Sequence, residues 1–175
     1  MNNRNSNFNN TKRLILTGLL FAIAIVLSMA ESAFPPIFFA IPGIKLGLSN
    51  IAVMYCLFFL GKREAISIAV LKSGFVFITR GAVAAALSLT GGIFSVVVMI
   101  VLMLIFKEKI SYLVISIAGA LFHNIGQLIA ISLIYTSIYI VAYLPVLIVF
   151  GVIAGIATSV LLKLILPAFK KLDIK

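Results

Sequence analysis

Long apolar runs, broken by pairs of basic residues, prolines or glycines, dictate what this chain can become. Lys12-Arg13, Lys62-Arg63, Lys107-Glu108-Lys109 and Lys170-Lys171 punctuate a sequence otherwise nearly devoid of charge. Of the 175 residues, 63% are hydrophobic and 10% charged, against about 45–50% and about 25% in soluble domains. So little charge cannot cover a water-soluble globule. The chain reads as an integral membrane protein with room for about six spans.

The same composition excludes chemistry. Four carboxylates, Glu31, Glu64, Glu108 and Asp173, cannot build a carboxylate-rich metal site. The lone Cys56 rules out an intrachain disulfide and any cysteine-based zinc or iron–sulfur site, and the lone His123 rules out a multi-histidine one. No G-x-x-x-x-G-K-[ST], H-E-x-x-H or G-x-S-x-G stretch occurs, so the chain has no nucleotide cradle or familiar hydrolase motif. The expectation is a protein that is not an enzyme and has no cofactor or metal. A net charge of +10 would suit nucleic acid if the basic residues shared a solvated face. Here they lie between apolar runs and orient the chain in a bilayer.

Residues 1–13 are polar and asparagine-rich and read as a flexible cytoplasmic tail. A single membrane domain follows over 14–166, and then a basic cytoplasmic tail over 167–175. Periodicity and helix breakers place spans at about 14–30, 46–60, 65–79, 93–106, 113–135 and 143–166. The extracellular segment 31–47 holds Pro35, Pro36, Pro42 and Gly43 yet stays apolar, so it is expected to lie on or dip into the interface. Residues 82–89 are apolar but precede Thr90-Gly91-Gly92. A lip, a re-entrant piece and an extension of the third span all remain open there.

Basic residues accumulate on the cytoplasmic side of membrane proteins. With six spans and the N-terminus inside, the inner segments hold Arg4, Lys12, Arg13, Lys62, Arg63, Lys107, Lys109, Lys163, Lys170, Lys171 and Lys175, eleven of the fourteen. Only Lys45 and Arg80 fall outside, and Lys72 lies within a span. The expected fold is an all-α bundle of six transmembrane helices with both termini cytoplasmic.

Lys72 is the most informative residue. It lies about 13 Å along the helix from Arg63 and from Arg80, too far for its side chain to reach an interface. A central lysine costs about 2.5–3.5 kcal/mol on insertion scales and needs compensation. Of the carboxylates only Glu31, at the outer end of the first span, can reach inward. Lys72 either faces a polar cavity and contacts an anionic or strongly polar ligand, or is a structural lysine held by carbonyls and hydroxyls or by Glu31.

The fifth span carries His123, Asn124 and Gln127. His123 and Gln127 share a face with Ser116 and Gly119, while Asn124 is rotated by about 100°. They either read a ligand's heteroatoms or join helices. Asn50 and Lys45 are weaker ligand candidates, with a cap at a bent helix start and a solvated lysine as the plainer alternatives. Residues 34–50 suggest a lid over an outward cavity. Arg80 reads as an interfacial anchor. Small residues recur at four-residue spacing in Gly18 and Ala22, and again in Gly151, Gly155 and Ser159. The second stripe reads as internal packing, and the first is the better candidate for an external contact.

Several stretches together resemble the Gx transporter family, often labelled heptaprenyl diphosphate synthase component I. They are Glu31 followed by Pro35-Pro36, the run Ile41 to Asn50, the turn Gly61-Lys62-Arg63-Glu64-Ala65 and the run Gly119 to Gln127. The likeness covers about residues 14–165. It implies a protein similar to the substrate-binding S-components of energy-coupling factor transporters. In those, six helices capture a vitamin-like molecule from outside, and a shared transmembrane subunit with two ATPases drives its release inward. By that likeness Gly18 and Ala22 would meet the shared subunit. The synthase label sits poorly with the residues, since ionising an allylic diphosphate needs acidic clusters that hold magnesium. The family's association with flavin- and quinone-linked electron-transfer proteins implies an alternative. The chain would then be a non-transporting membrane subunit of an electron-transfer or isoprenoid-related complex.

Overall fold

The computed structural model describes residues 2–33, 48–136 and 142–170. Lys45, the prolines of the 31–47 segment and residues 171–175 lie outside them, so the expected lid is described only from residue 48 onward. Among the described residues the chain is all-helical. It comprises α1 (Asn2–Ala33), α2 (Asn50–Phe59), α3 (Lys62–Arg80), α4 (Ala82–Phe106), α5 (Tyr112–Tyr135) and α6 (Leu144–Lys170), with a 3-10 turn at Lys107–Lys109.

α2 is the enclosed helix. Every residue from Asn50 to Leu57 is buried, as a helix apolar on all sides requires. Leu20 and Ala24 of α1, Ile68 of α3, Met99 of α4, Ile115 of α5 and Leu162 of α6 belong to the same core. The outside is the reverse of a soluble protein's. Leu14, Ile78, Leu133 and Leu164 are each at least 70% exposed, and an apolar surface of that extent belongs against lipid. Four stretches are long and apolar enough to cross a bilayer: Thr11–Glu31, Ala82–Phe106, Tyr112–Tyr135 and Leu144–Leu164. α3 has 19 residues but carries Lys62, Arg63, Glu64, Lys72 and Arg80. α2 has only 10, and because protein surrounds it, it is not held to the length of a lipid-facing span.

Several boundaries differ from the sequence reading. α1 begins at Asn2, so the polar segment expected to be flexible prolongs the first helix; once nucleated, a helix propagates at one hydrogen bond per residue. Arg13 also ties it down, donating to Leu60 O and pairing with Glu64 at 2.9 Å. That contact meets the α2–α3 turn at Gly61, whose φ of +142° is closed to most side chains. α2 starts at Asn50 and not near 46, and α6 continues to Lys170 into the stretch expected as a tail. Residues 82–89 are the first turns of α4. Thr90-Gly91-Gly92 lies in mid-helix because these glycines serve a crossing and not a break. A Cβ on Gly126 of α5 would stand 2.9 Å from Thr90 O and 3.0 Å from Gly91 Cα.

α5 and α6 pack antiparallel and equally close. Ser116 Oγ donates to Gly155 O at 2.7 Å, and Asn124 Nδ2 donates to Leu147 O at 2.9 Å. A Cβ on Gly155 would fall 2.5 Å from Ile117 Cα, so the Gly151–Gly155 stripe is internal packing. Overpacked interiors lose about 1–3 kcal/mol. Gly155→Leu is accordingly expected to lower the thermal unfolding temperature in detergent, whereas Gly18→Leu, where a Cβ meets nothing within 4 Å, leaves it unchanged.

Candidate functional site

The start of α2 fixes the site. Ser49 occupies the N-cap position, where a serine hydroxyl ordinarily accepts from an N–H of the first turn. Here it makes no cap hydrogen bond. Its Oγ accepts instead from Lys72 Nζ at 3.0 Å, and Asn50 Oδ1 accepts from the same ammonium at 3.3 Å. Asn50 therefore serves Lys72, not the helix end. The turn carrying both residues is held from α1, because Glu31 Oε1 accepts from Leu48 N at 2.7 Å. Glu31 also acts electrostatically on Lys72, but among the described residues the ammonium donates to two neutral oxygens.

Lys72 is only 2% exposed. Two neutral acceptors are thin compensation for a charge whose transfer to mid-membrane costs about 2.5–3.5 kcal/mol. Lys72 also lines a small open recess, whose free space of about 20 Å³ is room for about one water molecule. Val76 and Arg80 continue its wall along α3. Ser28 enters from α1, Ser49 from the α2 turn, Ala84 and Ser88 from α4, and His123 and Gln127 from α5. Gly91 makes room for the last two: a Cβ there would stand 2.9 Å from both side chains. Gln127 is 3% exposed and its Oε1 has no hydrogen-bond partner among the described residues. A buried amide oxygen left so costs about 1–3 kcal/mol.

Of the residues singled out in the sequence, Lys72, His123 and Gln127 meet in one recess, and Asn50 supports Lys72 from behind. Asn124 does not join them. Its Nδ2 donates to Leu147 O of α6, as its rotation of about 100° from His123 around α5 requires, while its Oδ1 has no hydrogen-bond partner among the described residues. Arg80, read as an anchor, is a wall residue of the recess. Its spacing from Lys72, two steps of four residues through Val76, was the available signal. Ser28, Ser49 and Ser88 were missed, since a serine in an apolar helix carries no mark of where it points. On α1, Leu20, Ala24, Ser28 and Glu31 are buried while Gly18 and Ala22 face outward.

A lipid-facing bundle of long apolar helices, with a cation-bearing polar recess among its described residues, defines a multi-pass membrane protein. The chain belongs to the family described as "Heptaprenyl diphosphate synthase component I", whose model matches residues 20–165. Its fold is that of a solved structure described as the S component of a bacterial ECF transporter. The two share 23% identity and a TM-score of 0.64, over 95% of this chain and 99% of the other. No curated protein matches the chain.

Proposed function

We propose that this protein is the substrate-binding subunit of a bacterial transporter, an S component that captures a small vitamin-like or anionic molecule from outside the cell. Its six helices cross the membrane with both termini in the cytoplasm. Lys62, Arg63, Lys107 and Lys109 sit at the α2–α3 and α4–α5 turns, and Arg13 of α1 reaches the first of these, in keeping with the cytoplasmic preference of basic residues. The recess lies toward the opposite end, where α1 ends and α2 begins, and opens outward. The observation that carries the reading is Lys72: a buried ammonium whose hydrogen bonds among the described residues go to neutral oxygens, beside an open recess that it lines.

The chain has no nucleotide cradle, so release inward falls to partners: a transmembrane coupling subunit, which meets the Gly18–Ala22 face, and ATPases. The family's synthase label does not alter this. Glu31 and Glu64 are already engaged, with Leu48 N and Arg13, and do not form a magnesium-holding cluster. Native mass spectrometry of the protein purified from its source membrane tests the reading. A retained small molecule together with coupling and ATPase subunits is expected. A stable complex with electron-transfer proteins, without ATPases or small molecule, would overturn it in favour of the non-transporting role.

A further inference from the structure

Along α3 the recess presents Lys72, Val76 and Arg80 at four-residue steps. Lys72 is buried and Arg80 exposed, so the two cations run from floor to mouth over about 12 Å of helix rise. The hydroxyls of Ser28, Ser49 and Ser88 stand around them, and among the described residues no carboxylate lines the recess. Opposite the cations, the Gln127 amide is buried with its oxygen unpartnered among the described residues.

These features select a chemistry. With two cations in its wall, and Glu31 acting on Lys72 from outside that wall, the cleft keeps an excess of positive charge that repels cationic molecules and concentrates anions. The acceptors that Lys72 now uses are neutral, and a charged acceptor hydrogen-bonds about twice as strongly. An oxyanion arriving at the floor therefore competes well for the ammonium. Gln127 is left to read a neighbouring group, because a primary amide both donates and accepts.

Building on the capture reading above, we propose that the recess takes the oxyanion end of an organic acid, a carboxylate or a phosphate. Arg80 steers it in, Lys72 holds it, and Gln127 hydrogen-bonds the polar group beside it. Arg80 governs the rate of entry, as an exposed rim charge does, and Lys72 the residence time, as a buried one does.

The test uses the full chain in detergent after exhaustive washing, with sodium phosphate and sodium acetate as separate probes at matched ionic strength. Native mass spectrometry counts adducts, and any molecule carried from the membrane is identified by its mass. Wild type is expected to bind one probe ion, and preference between the probes separates phosphate from carboxylate. Lys72→Met reduces binding at least tenfold, and so does Gln127→Glu, which sets a carboxylate against the anion. Arg80→Gln slows association about tenfold and flattens its salt dependence, with dissociation changed less than twofold. The last two variants leave the hydrogen bonds of Lys72 in place, so the test holds even if Lys72→Met folds poorly.

Adducts of neither probe, adducts equal in all variants, or a carried molecule that is neutral or cationic would overturn the oxyanion assignment, even if ATPases co-purify. A carried phospholipid would instead retain the oxyanion site and remove the capture reading.

Discussion

Methionine at position 72 is expected to abolish ligand retention and leave the bundle folded. The two effects come from the same buried charge. Truncating one partner of a buried charged contact costs about 2–5 kcal/mol of binding, which is about 30-fold to several-thousand-fold in affinity. Folding faces opposing terms of similar size. Methionine is as long as the lysine stem and removes the insertion penalty of about 2.5–3.5 kcal/mol. Against that, Ser49 Oγ and Asn50 Oδ1 lose their donor, at about 1–3 kcal/mol for each buried acceptor left unmade. Net stability should therefore fall between about 1.5 kcal/mol gained and about 3.5 kcal/mol lost. Ligand retention by mass spectrometry, read beside thermal unfolding of the same preparation, checks both halves. A Lys72→Met protein that carries its ligand as wild type does would end the claim that the ammonium is the anchor.

That residue was legible in the sequence because its cost is visible without coordinates. A lysine about 13 Å from either end of a span has no escape to water. His123 and Gln127 were legible for a related reason, as polar groups at helical spacing in an apolar helix. The long apolar helices were equally plain, since hydrophobicity and basic punctuation mark them independently.

What the sequence concealed depends on how helices meet. Thr90-Gly91-Gly92 reads as a break from composition alone. It is a mid-helix notch because Gly126, His123 and Gln127 press on it from α5, a fact that belongs to no single segment. Asn124 and Gln127 look alike in the sequence. Only the placement of α6 shows that one amide turns to donate to Leu147 O while the other lines the recess. Ser49-Asn50 carries the signature of a helix cap, and the nearby ammonium overrides it. Arg80 sits where an interfacial anchor belongs, and its position on the recess wall follows from Lys72 and Val76 sharing its side of α3. The polar start of the chain suggested disorder, yet the Arg13 contacts with Leu60 O and Glu64 sit within a helix that begins at Asn2.

Bulk on the outward face of α1 is expected to produce the opposite phenotype from Lys72→Met: ligand kept, partner lost. Gly18 and Ala22 are exposed, one helical turn apart, on the side of α1 away from the core residues Leu20 and Ala24. Small residues at that spacing let a second helix approach backbone to backbone, and a phenylalanine there forces the two apart. The chain's own fold has little at stake, since a Cβ on Gly18 meets nothing within 4 Å and phenylalanine is the better helix former. Gly18→Phe with Ala22→Phe should change thermal stability by no more than about 0.5 kcal/mol, as surface substitutions do. Ligand retention should stay within twofold of wild type, because neither residue lines the recess. Recovery of a coupling subunit in co-purification should fall at least tenfold, and uptake into whole cells should fall with it. Undiminished recovery would place the docking surface on another helix. Loss of ligand together with partner would mean that α1 transmits its position to Lys72, for which a route exists through Glu31, Leu48 N and Ser49.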